Sequence, residues 1–145
     1  MLATDYDKSH LPHLPRIVIE AIPHNDQRYE TCGDWFYNDQ GELVIRVSQT
    51  NIKQELLIAL HELVEAMLCN FKGISESVVT DFDLKFESMR TAFPSIVGDR
   101  EPGDDDTAPY FHEHAMASRI EKWLAESMGV DWNKYEEEIN SLSKS

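Results

Sequence analysis

Basic residues are scarce in this chain: 13 Lys and Arg stand against 27 Asp and Glu, for a formal charge of -14. Nucleic-acid capture needs clustered cations that displace counterions from phosphate, so direct binding to DNA or RNA is not expected. Cysteine is scarcer still. Cys32 and Cys69 are the only two, far apart and without a C-x-x-C partner, which argues against a zinc knuckle or a disulfide framework. No run approaches the roughly 18 apolar residues of a membrane span. The opening "MLATDYDKSHLPHLP" lacks the basic start and apolar stretch of a secretory signal, so a cytoplasmic location with both thiols free is the expectation. Also missing are a Gly-rich phosphate loop, an internal repeat and any low-complexity tract beyond "GDDD".

What is present suits one α+β domain spanning residues 1–145, long enough for a continuous core. A polar arm occupies 1–15. "RIVIEAI" is short and β-branched, as a strand should be, and Pro23 ends it. "YETCGDWFYNDQGELVIRVS" then reads as a hairpin turning at "NDQG", in which Leu43, Ile45 and Val47 alternate with Glu42, Val44 and Arg46. The expected sheet therefore has three strands, packed against three to four helices. Capping residues at 48–51 and Gly73 bracket the first helix, and Ser75 to Met89 forms a second amphipathic one. Residues 94–108, "PSIVGDREPGDDDTA", carry no period and read as a long, mobile acidic surface loop. A third helix opens near Pro109 and closes at Gly129, and "VDWNKYEEEINSL" adds a short last one.

The chemistry concentrates in two helices. In "LIALHELVEAMLC", His61 and Glu65 share one flank of the apolar stripe a turn apart, so both can point at one ion. Imidazole and carboxylate are both competent zinc ligands, and a catalytic site keeps a position open for water. Glu62, further toward the polar side, would take a proton from that water and pass it to the leaving group. A third ligand has to come from elsewhere. In "PYFHEHAMASRIEKWLAESMG" the inward sector holds His114 and Glu121, while His112 lies opposite with Arg119. His114 is thus the expected third ligand, and Glu121 either a fourth or an outer-shell acceptor that orients a histidine. Tyr110, a turn before His114, is a candidate donor to a polarised carbonyl. The structural alternative is a His61/Glu65 and His114/Glu121 hydrogen-bonded network without metal.

The other polar residues read as ordinary. His10, His13 and His24 fall in proline-marked segments and are expected to face solvent. Asp81 and Asp83 fall off the apolar face of their helix and should meet water, with Asp81 a spare ligand at the margin. "GDDD" lacks the spacing of a calcium loop and is taken as solvated. Cys69 reads as a structural thiol.

With its hairpin followed by "LHELVE", the chain resembles a minimal zincin metallopeptidase in which H-E-x-x-E replaces H-E-x-x-H. The resemblance implies His61 as ligand, Glu62 as base and the strand Glu42 to Ser48 at a sheet edge, where it would hold extended substrate. "HELVEAML" with "PYFHEHAMASRIEKWLAESMGVDW" is also similar to small phage or prophage proteins of unassigned function.

Three functions follow. The first is a zinc-dependent hydrolase of peptide or amide bonds, with His61, Glu65 and His114 as ligands, Glu121 as a fourth ligand or outer-shell acceptor, and Glu62 as acid/base. The second is a nucleotide or phosphoester hydrolase using Mn, Fe or Mg. The third is a non-catalytic acidic protein that binds a host protein, its surface imitating DNA.

Overall fold

A computed structural model describes residues 11–143. His10 and most of the N-terminal arm lie outside the described residues. The architecture is α+β. Strands β1 (Ile17–Ile22), β2 (Gly33–Tyr37) and β3 (Leu43–Ser48) form one sheet in the order β1-β3-β2. β2 and β3 pair antiparallel as a hairpin, whereas β1 pairs β3 in parallel, from Ile17 opposite Leu43 to Ile22 opposite Ser48. This order overturns the edge position expected of Glu42 to Ser48. β3 is flanked on both sides, so its backbone groups are spent within the sheet and cannot hold an extended substrate.

Helices α1 (Ile52–Lys72), α2 (Glu76–Ala92), α3 (Pro94–Val97), α4 (Phe111–Ser127) and α5 (Trp132–Ser143) follow. The alternation in β3 turns Leu43, Ile45 and Val47 toward α1, where they form one core with Trp35, Leu57, Ala66 and Cys69. Both thiols are buried, and burial pushes that of Cys69 well above its usual range. α4 packs along α1, and this pairing faces the two motif helices toward each other. Among the described residues no helix is long and apolar enough to cross a membrane.

The ends of α1 have local causes. Asn51 Oδ1 accepts from the Gln54 amide at 3.0 Å, and Gly73, at φ 73°, closes the helix in the left-handed conformation open to glycine. Asn51→Ala should destabilise the fold by about 1 kcal/mol, read as a shift in the urea midpoint at constant m-value.

Residues 94–108 depart from the loop expectation. Pro94 starts α3, Val97 is buried, and Pro102–Asp104 forms a 3₁₀ turn whose Gly103 is buried too. Arg90 on α2 organises the segment by donating to the carbonyls of Gly98 and Arg100. Such side-chain-to-carbonyl stapling leaves no periodic trace in sequence.

Candidate metal centre

α1 and α4 bring His61, Glu65 and His114 together. His61 Nε2 lies 3.2 Å from Glu65 Oε2 and 3.2 Å from His114 Nδ1, and His114 Nδ1 lies 3.0 Å from Glu65 Oε2. All three residues are buried. Ligands at zinc distances around a tetrahedral ion are about 3.3 Å apart, so this triangle of donor atoms fits such an ion with little adjustment. The spacing of four on α1 aligns His61 with Glu65, and His114 is held at the start of α4 by its amide bonding the Tyr110 carbonyl at 2.9 Å.

Each donor is oriented from behind. Glu121 Oε1 accepts from His61 Nδ1 at 2.8 Å, leaving Nε2 free to bind, and Glu121 Oε2 accepts from the Tyr135 hydroxyl at 2.5 Å. Both oxygens of Glu121 are therefore engaged in hydrogen bonds, and it stands outside the triangle of donor atoms. Trp35 donates to Glu65 Oε1 at 3.0 Å, which directs Oε2 at the histidines. On the far side of His114, Nε2 sits 3.2 Å from both Glu101 Oε2 and Asp104 Oδ1.

The electrostatics ask for positive charge. Burial opposes protonation of His61, yet its bonds to Glu121 and Glu65 raise its pKa well above the usual value. His114 is raised likewise, burial being outweighed by Asp104, Glu101 and Glu65. Glu65 moves the other way: burial pushes it up, but the two histidines hold it well below the carboxylate range. Glu62 has no such partner within hydrogen-bond reach among these histidines, its Oε2 standing 3.9 Å from His61 Nε2. Burial, and then the charge of Glu65, push it well above the usual value.

Glu62 is buried rather than turned to the polar side, because β2 crosses it at Gly33. A side chain there would meet Ile58 at 2.6 Å and Glu62 at 3.0 Å. The triangle and Glu62 line a cavity of about 460 Å³, bounded also by Gly33, Asp83, Tyr110 and Tyr135.

The Tyr110 hydroxyl donates to Asp83 Oδ1. Asp83 is buried, not solvated, and accepts also from Tyr29 at 2.7 Å. Burial lifts its pKa to about 7, against the pull of those two hydroxyls. Asp81, by contrast, is exposed and outside the site. Of the loop histidines, His13 is exposed, whereas His24 is largely covered and bonds Ser48 Oγ at 2.7 Å. His112 is exposed, on the face opposite His114.

Trp35, Tyr135, Glu101 and Asp104 complete the surroundings without having been legible as site residues. A tryptophan in a strand reads as core, and acidic residues in an aperiodic stretch read as solvated. No family model matches the chain, and no curated protein or solved structure matches it either.

Proposed function

We propose that this chain is a metal-dependent hydrolase of the zinc class acting on peptide or amide bonds, with His61, Glu65 and His114 as ligands. The observation that carries the reading is the triangle of His61 Nε2, Glu65 Oε2 and His114 Nδ1, at 3.0 to 3.2 Å, on the wall of a cavity that Glu62 also lines. Lone pairs converging at such spacing repel unless positive charge lies among them. Extra protons on the imidazoles meet that demand in a metal-free network, and a divalent ion meets it more fully.

The ion would supply Lewis acidity, which makes a water at its open position a far stronger acid. Glu62, on the wall of the same cavity, would serve as the proton carrier, taking a proton from the attacking water and delivering it to the leaving amine. Its raised proton affinity suits both halves of that task. Glu121 and Tyr135 hold His61 in the binding tautomer, and Trp35 holds Glu65. A single observation favours the second reading, a phosphoester hydrolase: Arg100, Arg119 and Lys122 line the same cavity and match a phosphate in charge.

Elemental analysis of the purified protein tests the site. About one zinc per chain is expected, falling to background in His61→Ala and in His114→Ala. Stoichiometric zinc in the double variant would remove the assignment. Manganese, iron or magnesium in place of zinc would favour phosphoester chemistry.

A further inference from the structure

His114 faces two clusters at once. Its Nδ1 edge belongs to the triangle, while Nε2 points between Glu101 Oε2 and Asp104 Oδ1, 3.2 Å from each. An N–H on Nε2 would be aligned with neither oxygen, and the atom is buried without a hydrogen-bond partner. The histidine is 6% exposed, whereas the side chains of Glu101 and Asp104 are 56% and 50% exposed. One buried nitrogen and two solvent-reaching carboxylates thus converge, with donor atoms within 4.8 Å of one another. A buried polar atom left unpaired is costly, and this one is aimed at a set of donors suited to a cation.

Tautomerism decides how the two clusters relate. With its proton on Nδ1, the ring donates to Glu65 Oε2 and turns a lone pair toward Glu101 and Asp104. With the proton on Nε2, its positive end points between those two carboxylates without a direct hydrogen bond to either, and Nδ1 joins the triangle. A neutral ring serves one cluster or the other, never both.

We propose that Glu101, Asp104 and His114 Nε2 form an outer divalent-cation site that captures the ion from solvent and hands it to the inner triangle. The capture half stands on its own residues, and the hand-over half rests on the reading of His61, Glu65 and His114 as a metal centre. At hand-over His114 gives up its Nδ1 proton to solvent and takes one on Nε2, so its proton count is unchanged. Glu65 Oε2 exchanges a hydrogen bond for the ion. The nitrogen and two carboxylates suit Zn²⁺, Co²⁺ or Mn²⁺. The surroundings draw cations inward: Glu136 nearby has its pKa raised by burial and by the charges of Glu101, Glu121 and Asp104. Gly103 makes the arrangement possible, since its backbone lies on the imidazole and lets the flanking carboxylates straddle Nε2.

Co²⁺ titration followed by visible absorption tests the proposal. The inner triangle is disabled in His61→Ala/Glu65→Gln, or in Glu65→Gln alone if the pair does not fold. That protein is expected to bind Co²⁺ weakly, and to lose the binding when Glu101→Gln/Asp104→Asn is added. With the triangle intact, Glu101→Gln/Asp104→Asn should slow Co²⁺ uptake roughly tenfold or more without changing the final stoichiometry. An inner-disabled chain that binds no Co²⁺, or binds it regardless of Glu101 and Asp104, overturns the outer site. Uptake at the parent rate overturns the hand-over. If instead the parent binds no better than the inner-disabled chain, the triangle has failed as a metal centre while the outer site stands.

Discussion

Glu62→Gln is expected to lower turnover of peptide or amide substrates by about 10²- to 10⁴-fold while leaving the metal content unchanged. Glutamine keeps the shape of the side chain beside Gly33 and gives up only the ability to carry a proton away. Glu62 lies too far from His61 Nε2, at 3.9 Å, to be its hydrogen-bond partner, so its removal leaves the orientation of the ligands intact. The same change should raise stability in the metal-stripped protein. Burial and the charge of Glu65 raise the Glu62 pKa above its ordinary 4.5, so the folded state holds this proton more tightly than the unfolded state does. The stability that Glu62 contributes is present below about pH 4.5 and is lost as pH rises toward the folded-state pKa. Glutamine does not ionise and escapes that loss. Thermal unfolding of the two proteins should nearly coincide at low pH and separate toward neutrality, with Glu62→Gln the more stable. Unchanged turnover of a fluorogenic peptide pool would show that another group takes the proton.

The residues that were legible in sequence are those set by local rules. Asn51 and Gly73 bracket α1 through capping and a left-handed residue, and the helical period puts His61 and Glu65 on one flank and His114 on the inward face of α4. Strand order was not legible, because β1 reaches β3 by a parallel pairing that skips β2, and no turn residue encodes such a crossover. The burial of Glu62 escaped for a related reason: its helical position faces the polar side, and only the approach of β2 at Gly33 covers it. The burial of Asp83 is not legible because its partners come from other elements: it accepts from Tyr110 at the start of α4 and from Tyr29. Glu101 and Asp104 looked like solvated charge until the 3₁₀ turn set them against Nε2 of His114. Side chains that coordinate or pair across elements are thus visible as types, while their partners depend on tertiary approach.

Gly33 and Gly103 carry that dependence into a second strong prediction, because each leaves room for a different part of the site. At Gly103 an added Cβ would lie 2.3 Å from Cγ and 2.5 Å from Nδ1 of His114, a buried ring packed between Tyr110 and His61 with little freedom to retreat. Gly103→Ala should therefore push the ring out of the triangle. If the strain falls within the usual cost of overpacking, roughly 1–3 kcal/mol, metal affinity drops by about 5- to 150-fold. At Gly33 the added atom meets Ile58 and Glu62 instead, and the three donor atoms are untouched. Gly33→Ala should then reduce turnover while metal content stays near that of the parent. Competition against a chromogenic zinc chelator measures the first effect and kinetics on the metal-loaded protein the second. Equal loss of affinity in both variants would mean that the glycines act on overall stability alone. The opposite pattern, affinity lost at Gly33 and kept at Gly103, would place the ion on the Glu62 side of α1, away from His114.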